Sequence, residues 1–408
     1  MKRIIIILFL IPFFAFTQQG IQFEHGTTWD KILAKAKAEK KYIFVDAFAT
    51  WCGPCKFMAA KIFTQEQVGD LFNAAFINLK VQMDTSAKDN EEVKKWYANA
   101  HKMGKDYIIN AYPTFLFFSP EGKLVHRLVG SREADEFISK AKNVLNPEGQ
   151  YYSMLDKYKG GKKDPDFLKT LAHLAEEAYD SENISLIAND YLNTQNNYQT
   201  NENVDFIFHF VNNTKSVGFK VLTENEAIFN QLKSNTSATD KIVEIVKEDE
   251  LYPYFKKKST IAPDWKIIYL TILKKYPKHA DEVIAGGKVS YFKSKKDWLN
   301  FQPAVQLYMK NYGNKATPAL LNEYAWTVFE NCDETTVLQD ALNWSKKSIK
   351  SKEDPSYIDT YANLLYKTGQ KDEAVVWEEK AMSMVSDQEK GDFSETIEKM
   401  KTGTKTWK

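Results

Sequence analysis

The sequence predicts an α/β domain followed by an all-α region, and three observations support this prediction. In the first third of the chain, short apolar runs suited to strands, including Tyr42–Phe48 and Thr114–Phe118, alternate with segments of helical periodicity. Two closely spaced cysteines come directly after the first of these runs. Beyond residue 166, apolar residues recur at helical spacing almost to the C-terminus. With 408 residues, the chain is long enough for two domains that each bury a core.

The two cysteines belong to the segment 51–55, Trp-Cys-Gly-Pro-Cys, which follows the first predicted strand. Cysteines three positions apart at the start of a helix lie on neighbouring turns of one face, so their sulfurs can join and part without backbone movement. Cys52 would lie at the helix N-terminus, where free N–H groups and the helix dipole favour a thiolate. Cys52 is therefore the candidate nucleophile, and Cys55, one turn deeper, is the candidate resolving thiol.

The rest of this segment and of the chain favours redox chemistry over a structural role for the cysteines. Pro54 has the preset φ of a first helical turn, and Gly53 lets the backbone and an incoming partner come close. A zinc site would need two more ligands at a paired spacing, but only Cys332 and six histidines without such spacing remain. A structural bridge in so small a loop would constrain the unfolded chain little. We therefore expect a redox-active dithiol and no metal.

The strand, the Trp-Cys-Gly-Pro-Cys segment and the following helix resemble the thioredoxin superfamily, and further motifs of that family follow in the right order through residues 21–146. The resemblance implies that Asp46, six residues before the first cysteine, is an acid buried beneath the dithiol. It also implies that Lys80, on the next strand, lies near that acid. Tyr112 and Pro113 match the cis-proline loop of the family, in keeping with the rule that cis bonds occur almost only before proline.

The remaining elements of this domain complete the central mixed sheet flanked by helices that the resemblance implies. Residues 29–41 and 64–68 resemble secreted or membrane-tethered reductase domains of the superfamily. The stretch 85–110 is longer than the family pattern and leaves the shape of the substrate groove open. The expected elements are strands at 79–84 and 124–128, a lengthened helix at 91–101 and a last helix at 133–145.

The N-terminus has the order of a secretory signal peptide, with Lys2 and Arg3 before an apolar run and small residues near position 17. We therefore predict a signal peptide at 1–17 and a periplasmic or secreted protein. An uncleaved membrane anchor is the alternative, although the apolar run of about 13 residues contains Pro12 and is shorter than the roughly 20 needed to span a bilayer. The formal net charge of +1 gives no indication of nucleic-acid binding.

Residues 150–408 are predicted to form an all-α region of helix pairs that bury faces neither helix could bury alone. Such an array offers a concave surface for a client protein or for a second copy of the chain. Cys332 is expected to be a small apolar residue between helices, with intermolecular pairing as the alternative. The histidines of this region, His173, His209 and His279, are interpreted as ordinary helix residues.

Near the C-terminus, residues 320–386 resemble a degenerate tetratricopeptide pattern. Ala341 and Ala374 are 33 residues apart, close to the repeat length of 34. Ala325 and Ala362 are 37 residues apart, three more than the repeat length, which predicts a loop insertion at 331–336. A helical bundle without repeats is the alternative.

The resemblance implies a thiol–disulfide oxidoreductase in which Cys52 attacks a client disulfide, Cys55 resolves the mixed disulfide, and Asp46, tuned by Lys80, takes the proton from Cys55. No separate cofactor is expected because the cysteine pair carries the electrons, which a membrane electron donor would replenish. One alternative is a disulfide isomerase whose helical region holds the client. Another is an interaction protein whose helical array is the main functional part. The residues expected to bind the client are Trp51, Gly53, Pro54, Tyr112, Pro113 and Gly130.

Overall fold

A computed structural model describes residues 20–233, 237–256 and 262–407. The predicted signal peptide at 1–17 lies outside these described residues. The chain forms two compact units. The first comprises the residues up to 211 together with 216–218, and the second comprises 212–215 and the residues from 219 onward. The predicted order, an α/β part followed by helices only, is confirmed.

The sheet of the first unit has four strands in the order β2-β1-β3-β4. β1 is parallel to β2 and antiparallel to β3, and β3 is antiparallel to β4, so the sheet is mixed as predicted. The helix predicted at 91–101 continues to Asp106. The elements are α1 (Trp29–Glu39), β1 (Tyr42–Phe48), α2 (Gly53–Phe57) continued by a π-helical turn (Met58–Ile62), α3 (Glu66–Ala75), β2 (Phe76–Gln82), α4 (Glu91–Asp106), β3 (Thr114–Phe118), β4 (Leu124–Val129) and α5 (Ala134–Val144).

Each face of this sheet carries its own apolar core because successive strand residues point to opposite faces. Phe44 of β1 lies in an aromatic core with Phe72 of α3 and Phe137 of α5. Met58, in the π-helical turn that continues the dithiol helix α2, belongs to the same core. Ile43 and Val45 of β1 face a second core, which α1 and α4 cover. By this alternation Asp46 shares the face of Phe44, on the side of the dithiol helix.

Four further helices belong to the first unit, and the first of them seals the edge of the sheet. Helix α6 packs against β4, where the buried backbone N–H of Tyr151 donates to Nδ1 of His126 at 3.0 Å. Burial lowers the pKa of His126 to about 3, helped by Lys140 and Arg132, so the ring stays neutral and accepts this bond. The helices are α6 (Tyr151–Lys159), α7 (Pro165–Glu177), α8 (Ser181–Asn193) and α9 (Asn201–Phe210).

The described part of the second unit is helical throughout. Consecutive helices pack as pairs, most extensively α17 with α18 and α19 with α20. The helices are α10 (Val217–Glu224), which begins in the first unit, α11 (Glu226–Leu232), α12 (Ala238–Val246) with a π-helical turn (Lys247–Leu251), α13 (Pro253–Lys256), α14 (Trp265–Lys275), α15 (Ala280–Ser294), α16 (Trp298–Tyr312), α17 (Pro318–Asn331), α18 (Thr335–Ser351), α19 (Pro355–Lys367), α20 (Lys371–Ser383) and α21 (Lys390–Thr402).

The loop insertion predicted at 331–336 is wrong. Residues 332–334 connect α17 to α18, and residues 368–370 make an equally short connection between α19 and α20. The extra length lies in the helices instead, since α18 has 17 residues and α20 has 13. An added helical turn keeps its backbone hydrogen bonds internal, whereas an added loop would need partners elsewhere. The tetratricopeptide assignment itself stays a prediction.

Cys332 follows α17 and is almost fully buried in an apolar core between helices, which agrees with its expected role as a small apolar residue. Burial raises the pKa of its thiol to about 11. Within the described part of the chain, each helix is too short or too polar to cross a membrane.

Candidate active site

The two cysteines of the Trp-Cys-Gly-Pro-Cys segment form a disulfide at the start of α2. Their sulfurs are 2.14 Å apart and their Cα atoms 5.3 Å apart. Cys52 is the N-cap of the helix, as predicted, and its Sγ accepts a hydrogen bond from the backbone N–H of Cys55 at 3.1 Å. Both residues are buried, with 3% and 6% of their surfaces exposed. In the reduced state, a thiolate at Cys52 would face this N–H and the positive end of the helix dipole, which favour the anion.

Asp46 and Lys80 lie opposite each other in the register of β1 and β2, as the resemblance implied. Asp46 is 1% exposed, and its Oδ1 has no hydrogen-bond partner among the described residues. Lys80 Nζ is 3.9 Å from Asp46 Oδ2, too far for a hydrogen bond, and 4.7 Å from the ring centre of Phe48. Burial raises the pKa of Asp46 to about 7, and the charge of Lys80 only partly offsets this effect. The carboxyl group can therefore take or release a proton near neutral pH.

Hydrogen bonds between Thr50 and Asp84, which sequence reasoning missed, hold the loop between β1 and the dithiol in place. Asp84, just after β2, accepts hydrogen bonds from both the backbone N–H and the hydroxyl of Thr50, the former at 3.0 Å. The backbone N–H of Met83 also donates to the carbonyl of Phe48 at 2.8 Å. The available signal was an acid at the end of a strand, and its partner became identifiable only with the fold.

The loop before β3 brings the predicted client-binding residues together beside the dithiol. The bond between Tyr112 and Pro113 is cis, as predicted. Tyr112 packs against the apolar cluster of Ala49, Cys52 and Cys55, and its ring meets that of Trp51 edge-on with centroids 5.9 Å apart. Trp51 is 70% exposed. An indole beside the disulfide is therefore open to solvent.

Gly130 lies next to this loop, where its backbone N–H donates to the carbonyl of Pro113 at 2.9 Å. Its φ of +93° is a conformation that glycine adopts without strain. Arg132, which sequence reasoning also missed, holds the same corner by donating to the carbonyls of Val129 and Gly130. The Pro113 carbonyl is thus engaged within the chain.

Gly53 and Pro54 occupy the first turn of α2 and complete the rim of the site. A Cβ at Gly53 would meet nothing within 4 Å, so the space above this backbone is open. The structure therefore places all ten predicted site residues at the dithiol or on the strands and loops that support it. Their individual roles in binding and catalysis stay predictions.

Comparisons with known proteins agree with this geometry. Residues 29–145 match the family model described as a thioredoxin-like domain. Thioredoxin H1 of Arabidopsis thaliana is 32% identical over 117 residues, which are 29% of this chain and 86% of that protein. The thiol:disulfide interchange protein DsbD of Pseudoalteromonas atlantica is 31% identical over 119 residues, 29% of this chain and 18% of that protein.

Among solved structures, a putative disulphide-isomerase from Bacteroides thetaiotaomicron is 36% identical, with a TM-score of 0.26, over 31% of this chain and 95% of that one. The chain belongs to the thioredoxin family. With its Cys52–Cys55 pair it is a thiol–disulfide oxidoreductase of the thioredoxin-like class. These matches cover less than a third of the chain and concern the α/β domain.

Proposed function

We propose that this protein is an exported thiol–disulfide oxidoreductase that reduces disulfides in client proteins. The observation that carries the proposal is the combination at one site of an N-cap cysteine, Cys52, with a buried acid, Asp46, whose pKa of about 7 suits proton transfer at neutral pH. The first group supplies a stabilised thiolate and the second a base for the resolving thiol.

The reaction starts from the reduced pair. The Cys52 thiolate attacks one sulfur of the client disulfide, so the client S–S bond breaks, a mixed disulfide forms, and the other client sulfur leaves as a thiolate. The Asp46 carboxylate then takes the proton of the Cys55 thiol. Cys55 attacks Cys52 Sγ and releases the second client sulfur. Two electrons have passed to the client, and the Cys52–Cys55 disulfide seen in the structure is the product.

Regeneration of the pair requires an external dithiol donor, for which a membrane electron carrier is our proposal. Export is proposed from the signal-peptide pattern of residues 1–17. No separate cofactor enters this scheme because the cysteine pair stores both electrons. Trp51, Tyr112 and Gly53 form the exposed or open rim beside the disulfide and are proposed to contact the client.

The test is insulin reduction by the signal-free protein with dithiothreitol as donor, followed by turbidity. Cys52→Ser is expected to abolish the protein-dependent rate because it removes the nucleophile. Cys55→Ser is expected to trap Cys52 in mixed disulfides that appear on non-reducing gels. Cys332→Ala is the matched cysteine control and should leave the rate unchanged because Cys332 is buried inside the second unit, whereas the reactive pair belongs to the first. Normal turnover by the Cys52 variant would contradict the proposal.

The equilibrium reduction potential of the pair decides the direction of the reaction. A value near about −270 mV, as in thioredoxin, would agree with a reductant that depends on an electron supply. A value between about −180 and −120 mV would replace the proposal with an isomerase or an oxidant.

A further inference from the structure

Three side chains of metal-binding type meet on the surface of the first unit, on helices that follow the α/β domain. They are His173 and Glu176 of α7 and His209 of α9, and one ligand atom from each lies within 4.8 Å of the other two. Nε2 of His209 is 2.8 Å from a carboxylate oxygen of Glu176. Nδ1 of His173 is 3.9 Å from Glu176 Oε2. All three residues are exposed, so an ion can reach them directly from solvent.

The register of the two helices brings these residues together. Lys169 of α7 pairs with Glu202 of α9, 33 residues later in the chain. Two turns further along, Glu176 meets His209 at the same separation of 33. The two pairs run in the same direction along both helices, so α7 and α9 lie parallel at this point. His173 and Glu176, three positions apart, share one face of α7.

The buried ring of Phe210 packs against both imidazoles. Phe210 is 4% exposed, and its ring centre is 4.9 Å from that of His173 and 4.6 Å from that of His209. Both contacts are edge-on and limit the rotation of the imidazoles. The two rings thereby stay close, with centroids 5.7 Å apart, although their residues lie on different helices.

We propose that His173, Glu176 and His209 form a binding site for a divalent transition-metal ion such as Zn²⁺. Two imidazole nitrogens and one carboxylate are a common protein ligand set for zinc, and the fourth position stays open to water. Two ligand atoms held about 2.0–2.2 Å from one tetrahedral zinc ion are roughly 3.3–3.6 Å apart. The two separations to Glu176, 2.8 and 3.9 Å, bracket this range, and the two histidine nitrogens lie within 4.8 Å of each other, so side-chain rotation must adjust the three atoms around an ion.

The competing explanation is a surface hydrogen bond between Glu176 and His209 with no affinity for metal. A second source of zinc binding must also be removed, because the reduced Cys52–Cys55 pair offers two thiolates. The experiment therefore uses the oxidised, signal-free and tag-free protein after treatment with a chelator. The disulfide then leaves the histidine cluster to be measured by itself, independently of the proposed reductase activity.

The test is isothermal titration of this protein with Zn²⁺ at neutral pH, for the wild type and for the variants His173→Ala, His209→Ala and Glu176→Gln. We expect one ion per chain in the wild type and an affinity at least about tenfold lower in each histidine variant. The Glu176→Gln variant should weaken binding through loss of the negative charge. Zn²⁺ should also raise the melting midpoint of the wild type but not of the histidine variants.

The matched control is His101→Ala, which removes an exposed histidine from α4 of the same unit. Its zinc affinity should equal that of the wild type. Melting curves without zinc show whether each variant is folded, and exposed positions should tolerate these substitutions. Absence of zinc binding by the folded wild type, or equal affinity in the wild type and both histidine variants, would overturn the proposal. An equal loss in the His101 variant would do the same.

Discussion

Asp46 shows at the scale of one residue how burial creates chemistry. Its carboxyl group lies opposite Lys80 in the strand register, but the 3.9 Å gap gives attraction without a hydrogen bond. An ion pair at hydrogen-bond distance would hold the acid ionised, whereas this arrangement leaves its pKa at about 7. The carboxyl group can therefore be protonated or ionised near neutral pH. Ionising it in the folded protein lowers the free energy of unfolding.

Asp46→Asn tests this balance. Because the pKa of Asp46 is raised from 3.8 to about 7 in the folded protein, its contribution to stability is complete below about pH 4 and declines as the pH rises to about 7. The amide does not ionise, so the oxidised variant should be more stable than the wild type at pH 8, by at most about 4 kcal/mol, and similar near pH 3. Urea denaturation at both pH values measures the difference.

The same variant should resolve mixed disulfides more slowly, because Cys55 loses its proton acceptor, and the trapped complex should accumulate during turnover. Asp70→Asn, at an exposed position of α3, is the control and should change neither property. A variant less stable than the wild type at pH 8 would contradict the assigned cost of ionising Asp46.

The sequence located the residues of this site whose identity and spacing carry a local signal. Cys52 and Cys55 follow from the spacing at a helix start, and Asp46 and Lys80 from the resemblance to a family. Thr50 with Asp84, and Arg132 with its carbonyl partners, could not be predicted in this way. Thr50 and Asp84 lie 34 residues apart, so their contact appears only when the chain is folded. Arg132 bonds to carbonyls only two and three residues away, but a single hydrogen bond from a side chain to the backbone leaves no periodic pattern in the sequence.

At the scale of elements, predicted types agree with the structure better than predicted bounds. The second strand was expected at 79–84, but β2 begins at Phe76 and ends at Gln82. Asn78 interrupts the apolar run, which hides the start of the strand from pattern analysis. In the fold its buried side chain donates to the carbonyls of Gln22 and Phe72. A polar residue is therefore accommodated inside a strand by partners that the sequence pattern does not show.

Helices α19 and α20 bring two acids together, of which Glu378 is buried and Asp359 is partly buried. Glu378 is fully buried beside Asp359, which accepts a hydrogen bond from Asn363 at 2.9 Å. Burial, followed by the neighbouring carboxylate, raises the pKa of Glu378, and burial also raises that of Asp359. At neutral pH, Glu378 therefore keeps a proton that the unfolded chain releases.

Glu378→Gln should stabilise the second unit at high pH. The raised pKa means that the contribution of Glu378 to stability is complete below about pH 4.5 and declines as the pH rises above that value. An uncharged amide avoids this loss, so we expect a gain of roughly 1–3 kcal/mol at pH 9 and a smaller difference at pH 5. Hydrogen exchange of α19 and α20 peptides measures the local opening free energy.

Glu379→Gln is the matched control for this prediction, since Glu379 is exposed and pairs with Lys401 on the surface. It should change stability by less than about 1 kcal/mol. A Glu378 variant that loses stability at pH 9 would show that the carboxyl group is stabilised by interactions beyond those described.

At the scale of the whole molecule, the α/β domain and the first four following helices belong to one compact unit. The sequence suggested a break near 146–149, where the chain turns through a short 3₁₀ segment, Pro147–Gly149. Directly after it, Tyr151 is fully buried, and Met154 and Leu155 are nearly so. Local turn residues mark where a helix ends, but they carry no information on whether the next helix packs back onto the sheet.

Two fragments test how far this unit extends. A fragment of residues 20–211 retains α6 against β4, whereas a fragment of residues 20–149 exposes the sheet edge and removes the Tyr151 partner of His126. Each fully buried large side chain contributes about 1.5–3 kcal/mol, so the shorter fragment should be less stable by about 3 kcal/mol or more. Urea denaturation of both fragments gives the difference. Equal stabilities would show that α6 contributes nothing to the fold of the sheet.

Because Cys332 is unreactive, the redox state of the whole molecule can be measured at the Cys52–Cys55 pair alone. Cys332 is 1% exposed, so reagents that modify thiolates cannot reach it in the native protein. Its pKa of about 11 also keeps it in the unreactive thiol form. Native alkylation should therefore label only the Cys52–Cys55 pair in the reduced protein and leave the oxidised protein unlabelled. Mass spectrometry of intact chains would then count the fraction of reduced molecules directly, without removal of any cysteine.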